Sequence, residues 1–164
     1  IPARIYISCA FDCPYEGVIN AEHVVNTAFT LQKAGCHEIV IADTIGQATP
    51  NRVVSLLNSL FARLSPQMLG VHFHDTYGQA LANILAALQC GVSIIDSSVA
   101  GLGGCPFAKG ASGNVATEDL LFMLAGMGIK TGVDPASLQK AGEFICTILG
   151  RTNGSKVVAA CNQQ

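Results

Sequence analysis

The chain has 164 residues, half of them apolar and 12% charged, with a formal net charge of −2 at pH 7. That length and composition suit one globular domain with its own core and exclude a disordered chain. The absence of a basic run argues against nucleic acid or an anionic membrane surface as partner, and no apolar stretch reaches the ~18 residues of a membrane span.

Strand-like runs rich in β-branched and aromatic residues are predicted at 4–9 (RIYISC), 38–42 (EIVIA), 69–73 (LGVHF) and 92–96 (VSIID). Helical patterns lie between them. The first begins at Asn20 as N-cap, places Val24, Ala28 and Leu31 on one stripe, and ends at Gly35. The second opens with Thr49-Pro50 and carries Val53, Leu56, Leu57, Leu60 and Leu64. The third follows Asp75-Thr76, carries Leu81, Ile84, Leu85 and Leu88, and stops at Gly91. A glycine-rich loop follows at 101–113. A helix then starts at Thr117, with Glu118 and Asp119 in the first turn where the dipole favours negative charge, and Asp134-Pro135 opens a last helix ending near Gly150.

Strand and helix alternating at about 30 residues per unit is the rhythm of a parallel α/β fold, either doubly wound or a (β/α)₈ barrel. No linker or composition break divides the chain, so residues 1–164 are expected to belong to a single domain. The chain opens on Ile1 and alternates like a strand from the outset, which predicts a piece of something longer. No signal peptide is read at its start. Seven cysteines, an odd number without framework spacing, predict free thiols in a reducing compartment and not a secreted protein.

Chemistry concentrates at the predicted strand ends. His72 and His74 in "GVHFHDTYGQ" sit two apart on a strand, so they share a face, while Val71 and Phe73 point toward a flanking helix. Two imidazoles so placed can bind one metal ion; equally, they can be polar residues satisfied by backbone carbonyls. Asp43 and Thr44 follow the second strand, and Asp96, Ser97 and Ser98 follow the fourth, where capping or turn closure is the plain reading, stronger for Asp96 than for Asp43. Cys105 lies in "GLGGCPFAKGASGN", a loop able to approach a ligand or move, and there it suits a reactive thiol better than a core hydrophobe. Asn114 ends that loop, with Thr117 as a competing cap, which makes its side-chain oxygen a candidate ligand.

The segments "SCAFDCPYEG", "DTIGQATP", "VHFHDTYGQALAN", "DSSVAGLGG" and "GCPFAKGASGN", in that order, resemble the signature segments of the 3-hydroxy-3-methylglutaryl-CoA lyase family almost end to end. The resemblance implies a (β/α)₈ TIM barrel with its site at the C-terminal mouth, this chain being the last four βα units plus C-terminal helices. It implies Mg²⁺- or Mn²⁺-dependent cleavage of an acyl-CoA substrate, 3-hydroxy-3-methylglutaryl-CoA, to acetyl-CoA and acetoacetate in leucine breakdown. A homodimer in the bacterial cytoplasm or mitochondrial matrix is implied too. Position by position, it makes His72, His74 and Asn114 metal ligands and Cys105 the catalytic cysteine. Asp43 and Glu118 become acidic residues of catalysis, with His72 also able to relay a proton, and Tyr6 and Thr44 neighbours of the substrate. The family's first-strand arginine-aspartate pair, a further metal ligand and a substrate contact, has no match in this chain, so the isolated segment is expected to be inactive. Two rivals remain: a condensing synthase of the isopropylmalate or homocitrate type, whose loop typically lacks a cysteine at position 105, and a non-catalytic half-barrel.

Overall fold

The structure is a computed structural model and describes residues 1–104 and 113–161. They fall into two compact units, residues 1–96 and residues 97–104 with 113–161.

The first unit is built on a four-stranded parallel sheet of β1 (Arg4–Ile7), β4 (Glu38–Asp43), β5 (Leu69–Phe73) and β6 (Ile94–Asp96), in that order, with a small antiparallel ribbon of β2 (Asp12–Cys13) and β3 (Gly17–Val18) after β1. Helices α1 (Ala21–Lys33), α2 (Pro50–Phe61) and α3 (Ala80–Gln89) make the crossovers. Strand order follows chain order without reversal. Right-handed crossovers therefore set all three helices on one face, as in a singly wound barrel, whereas a doubly wound sheet needs a reversal point.

That helix-side face carries Ile39, Ile41, Leu69, Val71 and Phe73, each no more than 1% exposed. Against it α1 brings Val24 and Ala28, α2 brings Val53, Leu56, Leu57 and Leu60, and α3 brings Ile84 and Ala87. Burial of each large side chain contributes about 1.5–3 kcal/mol, and the sum locks the strand register. A slip of one residue would turn Val71 and Phe73 outward and drive His72 into the helix layer. The core thus decides which way the histidines point.

The element boundaries depart from the sequence reading at β1, β6 and α3, each with a local cause, while α2 starts at Pro50 as read. The first strand stops at Ile7, before Cys9, which takes a left-handed φ of 54°. The last strand starts at Ile94, because the Val92 amide still closes the end of α3 on the Ala87 carbonyl at 3.1 Å. Thr49 precedes α2 but makes no side-chain cap bond, so Pro50 at the first helical position sets that start. Helix α3 begins at Ala80, and Asp75 reaches forward to accept its amide at 3.0 Å.

The second unit holds a 3-10 turn at Val99–Gly101 and helices α4 (Thr117–Gly126), α5 (Pro135–Leu149) and α6 (Lys156–Cys161). Asp134 caps α5 by accepting the Ser137 amide at 2.8 Å, and Gly150, at φ 61°, ends it as predicted. Helix α6 lies beyond the elements read from the sequence. Its start is capped by Asp119, whose carboxylate accepts the Ser155 hydroxyl at 2.6 Å and the Val157 amide at 2.9 Å. Asp119 therefore serves another helix than the one whose first turn it occupies. Among the described residues the six cysteines are free thiols, and no helix is long and apolar enough to cross a membrane.

Candidate metal centre

Strand β5 is held on both sides, and its register sets His72 beside Ala42 of β4 and Asp96 of β6. His74 lies one residue past the strand, its amide donating to the Asp43 carbonyl at 3.3 Å. The two rings share a face, as the alternation predicts, with centroids 5.3 Å apart and planes at 81°. The Nδ1 atoms of both are buried and have no hydrogen-bond partner among the described residues. An unmade bond at a buried polar atom costs about 1–3 kcal/mol. Two such atoms side by side at a strand end could serve as ligand atoms for one metal ion.

Burial pushes both imidazoles below their usual pKa. At His72 Asp96 opposes that shift and Arg4 adds to it, and at His74 the neighbouring His72 adds to it. Neutral imidazoles keep the lone pair that a metal requires. The residues present thus fit a borderline divalent cation with mixed N and O ligands. No group of three or more His, Cys, Asp or Glu able to hold an ion occurs among the described residues.

The lowered pKa values predict a pH dependence of stability. The native state takes up fewer protons than the unfolded chain between the folded values and the ordinary 6.5. The stability contributed by the neutral pair is therefore complete above 6.5 and lost as pH falls through the folded pKa values. Denaturant titrations of metal-free protein at a series of pH values should show this loss in the native sequence. A His72→Ala, His74→Ala double variant should lack it; an identical slope in both proteins would refute the assignment.

The loop after β4 fixes His74 from behind. Asp43 is 1% exposed, and its carboxylate accepts the Gln47 amide at 3.1 Å and the Ala48 amide at 2.8 Å. Burial raises its pKa against those amide bonds. Fully buried Asn83 ties the same loop to α3 by donating to the Ala48 carbonyl at 2.9 Å. Gly46, at φ 74°, closes the interlock: a Cβ there would lie 2.9 Å from the Thr76 Cβ and 3.0 Å from the His74 carbonyl. Thr44 joins β4 to the end of β1, its Oγ1 accepting the Cys9 amide at 2.8 Å.

Tyr6 stands on β1 with its ring edge-on to His72, centroids 6.0 Å apart. Its hydroxyl donates to Asp96 Oδ2 at 2.6 Å. Asp96 also pairs with Arg4 at 2.6 Å, so it neither caps a helix nor closes a turn as the sequence reading has it. The overlooked signal was the alternation of "RIYI", which puts Arg4 and Tyr6 on the histidine face with a guanidinium in reach of the one acid on β6.

In the second unit Asn114 donates from Nδ2 to the Leu102 carbonyl at 2.9 Å, while its buried Oδ1 has no partner among the described residues. The amide is thus oriented by one end and free to ligate at the other. Both oxygens of Glu118, 7% exposed, accept the Ala100 amide at 3.0 and 2.9 Å. That bond holds Ala100 at φ 56°, a left-handed conformation uncommon outside glycine. Cys105 lies outside the described residues.

The HMGL-like family profile matches residues 3–145. The chain belongs to the HMGL-like family. It is 56% identical over 160 residues to the cytoplasmic 3-hydroxy-3-methylglutaryl-CoA lyase of Mus musculus, covering 98% of this chain and 47% of that protein. A crystal structure of hydroxymethylglutaryl-CoA lyase from Pseudomonas aeruginosa superposes with a TM-score of 0.95 at 49% identity, over 99% of this chain and 54% of that one. An HMG-CoA lyase from Acinetobacter baumannii, solved with coenzyme A and 3-methylmalate, matches with a TM-score of 0.90 at 38% identity, over 96% of this chain and 52% of that one. The chain spans about half the length of the curated relatives it matches. The expected barrel class is borne out: the HMGL-like fold is the TIM-barrel type, and the four parallel strands described are part of it.

Proposed function

We propose that this chain is part of a single-domain barrel enzyme that cleaves 3-hydroxy-3-methylglutaryl-CoA to acetyl-CoA and acetoacetate with Mg²⁺ or Mn²⁺. The observation that carries the reading is the pair of buried, unpartnered Nδ1 atoms at the end of β5, in a chain whose relatives are named as lyases for that substrate. His72 and His74 ligate the ion. The family resemblance adds Asn114, and the support within its own unit is its buried, unpartnered Oδ1.

Breaking the carbon–carbon bond requires the tertiary hydroxyl to lose its proton while the bonding pair moves onto the thioester as an enolate. A bound divalent ion acidifies that hydroxyl as a Lewis acid. The proton passes to His72 or to Asp43, whose pKa burial raises above its ordinary value. Cys105 gives a proton to the enolate, Tyr6 and Thr44 border the substrate, and Glu118 braces the turn at Ala100. The partner is an acyl-CoA, and the working assembly is a homodimer in the cytoplasm or mitochondrial matrix, the compartments for which relatives are named.

Acetyl-CoA and acetoacetate formation, followed with Mn²⁺ present, tests this. The protein with all barrel units of its relatives should turn over substrate, and a Cys105→Ala variant of it should not. The 164 residues alone should show no turnover, since the inner face of an incomplete barrel meets water and the edges of its sheet are open. Turnover by the 164 residues would overturn the half-barrel part of the reading. Condensation without cleavage by the longer protein would overturn the lyase part in favour of a synthase.

A further inference from the structure

Beneath the histidine pair, the same face of the sheet carries a closed cluster of side chains that the reaction does not consume. Arg4 Nη2 donates to Asp96 Oδ1 at 2.6 Å, Tyr6 Oη donates to Asp96 Oδ2 at 2.6 Å, and Arg4 Nη1 donates to Tyr6 Oη at 2.8 Å. Arg4 Nε also pairs with Glu38 of β4, and the guanidinium carbon sits 5.2 Å from the Tyr6 ring centroid. The three bonds form a ring, so none of the side chains is ordered for a single contact, unlike the isolated surface pairs whose net worth is small.

The cluster joins the two edges of the sheet. Arg4 and Tyr6 stand on β1 and Asp96 on β6, with β4 and β5 between them. In a flat sheet those edges are three strand spacings, about 14 Å, apart. Side chains that meet across that gap bridge directly over β5, where His72 lies in register with Asp96. The Tyr6 ring meets His72 edge-on at 87°, and His72 in turn meets His74 at 81°.

We infer that Arg4 and Asp96 are positioning residues of the histidine site: they grip the Tyr6 hydroxyl from both sides and so hold the Tyr6 ring as the wall that confines His72 to one rotamer. The hydroxyl of Tyr6 gives its proton to one partner and accepts from the other, so it has none to offer a substrate. Both Asp96 oxygens are likewise engaged, one by Arg4 and one by Tyr6. The contribution of Tyr6 is then its ring, and that of Arg4 and Asp96 is to aim it. The ring contact that would confine His72 is present in the structure itself; its consequence for metal affinity rests on the function proposed above.

Two measurements on the longer protein, with every barrel unit present, separate these levels. In metal-free protein carrying ring-labelled histidine, the His72 resonances should form one sharp set, and Tyr6→Phe and Asp96→Asn should each broaden or split them. With Mn²⁺ as probe, the same variants should weaken binding roughly 10-fold, the lower end of the range for partners that orient metal ligands, with little change in unfolding midpoint. Asp96→Glu should recover part of the affinity. Unchanged His72 resonances in Tyr6→Phe would overturn the inference. So would a lowered unfolding midpoint with unchanged resonances and unchanged Mn²⁺ affinity, because the cluster would then only brace the sheet. If the native sequence binds no Mn²⁺, the function proposed above fails while the resonance comparison still decides the positioning. If Asp96→Asn does not fold, Tyr6→Phe, which removes one oxygen and keeps the ring, decides alone.

Discussion

A His72→Ala variant should lose Mn²⁺ affinity by more than about 100-fold, since disturbing even the partners of a metal ligand costs 10–100-fold. It should lose turnover to match. The protein should still fold. The Nδ1 removed makes no hydrogen bond among the described residues, so no protein partner is orphaned, and the register of β5 is set by Leu69, Val71 and Phe73 on the opposite face. Metal binding measured by calorimetry or by the spectrum of free Mn²⁺, beside an unfolding curve of the metal-free variant, separates the two effects. Native-like affinity in a folded His72→Ala protein would refute the assignment, and His74→Ala is the parallel case. A large fall in metal-free stability would instead mean that the imidazole is held for packing.

The sequence reveals this pair because period-two alternation is a local rule: one strand with apolar residues at 69, 71 and 73 has only one way to aim residue 72. The (β/α) rhythm is legible for the same reason, since each helix declares its own apolar stripe and its own stop. What escaped the sequence depends on contacts between distant positions. Asp96 looks like a cap when seen with its neighbours, and becomes an anchor only once β1 brings Arg4 to it across 92 positions. Asp119 sits where the dipole of α4 favours an acid, yet it is recruited by the amides of α6, more than 30 residues on. Asp43 ends β4, and the sequence does not show that its carboxylate accepts the Gln47 and Ala48 amides of the loop that follows. Short-range patterning places elements and faces; which acid meets which donor is decided by packing.

The second large effect is expected at Gly113, next to Asn114. Its φ of 96° is one that side chains rarely adopt, and a Cβ there would collide with the Gly103 carbonyl oxygen and lie 2.6 Å from that of Gly101. Both obstacles are backbone atoms, which cannot swing aside as a side chain would. Gly113→Ala should therefore combine backbone strain of about 1–3 kcal/mol with a steric cost of about 1–3 kcal/mol, and shift the chain on which Asn114 is carried. Gly128→Ala supplies the comparison, because Gly128 has a φ of 74° and nothing within 4 Å of its added Cβ, so it bears the strain without the collision. Denaturant unfolding of the two variants should place Gly113→Ala below Gly128→Ala by that steric difference. If Asn114 ligates the ion, Gly113→Ala should also weaken Mn²⁺ binding about as much as Asn114→Ala does, while Gly128→Ala leaves it unchanged. Equal stability losses in the two glycine variants would mean that the backbone around Gly101 and Gly103 can yield. An unaltered Mn²⁺ affinity in both Gly113→Ala and Asn114→Ala would remove Asn114 from the metal site.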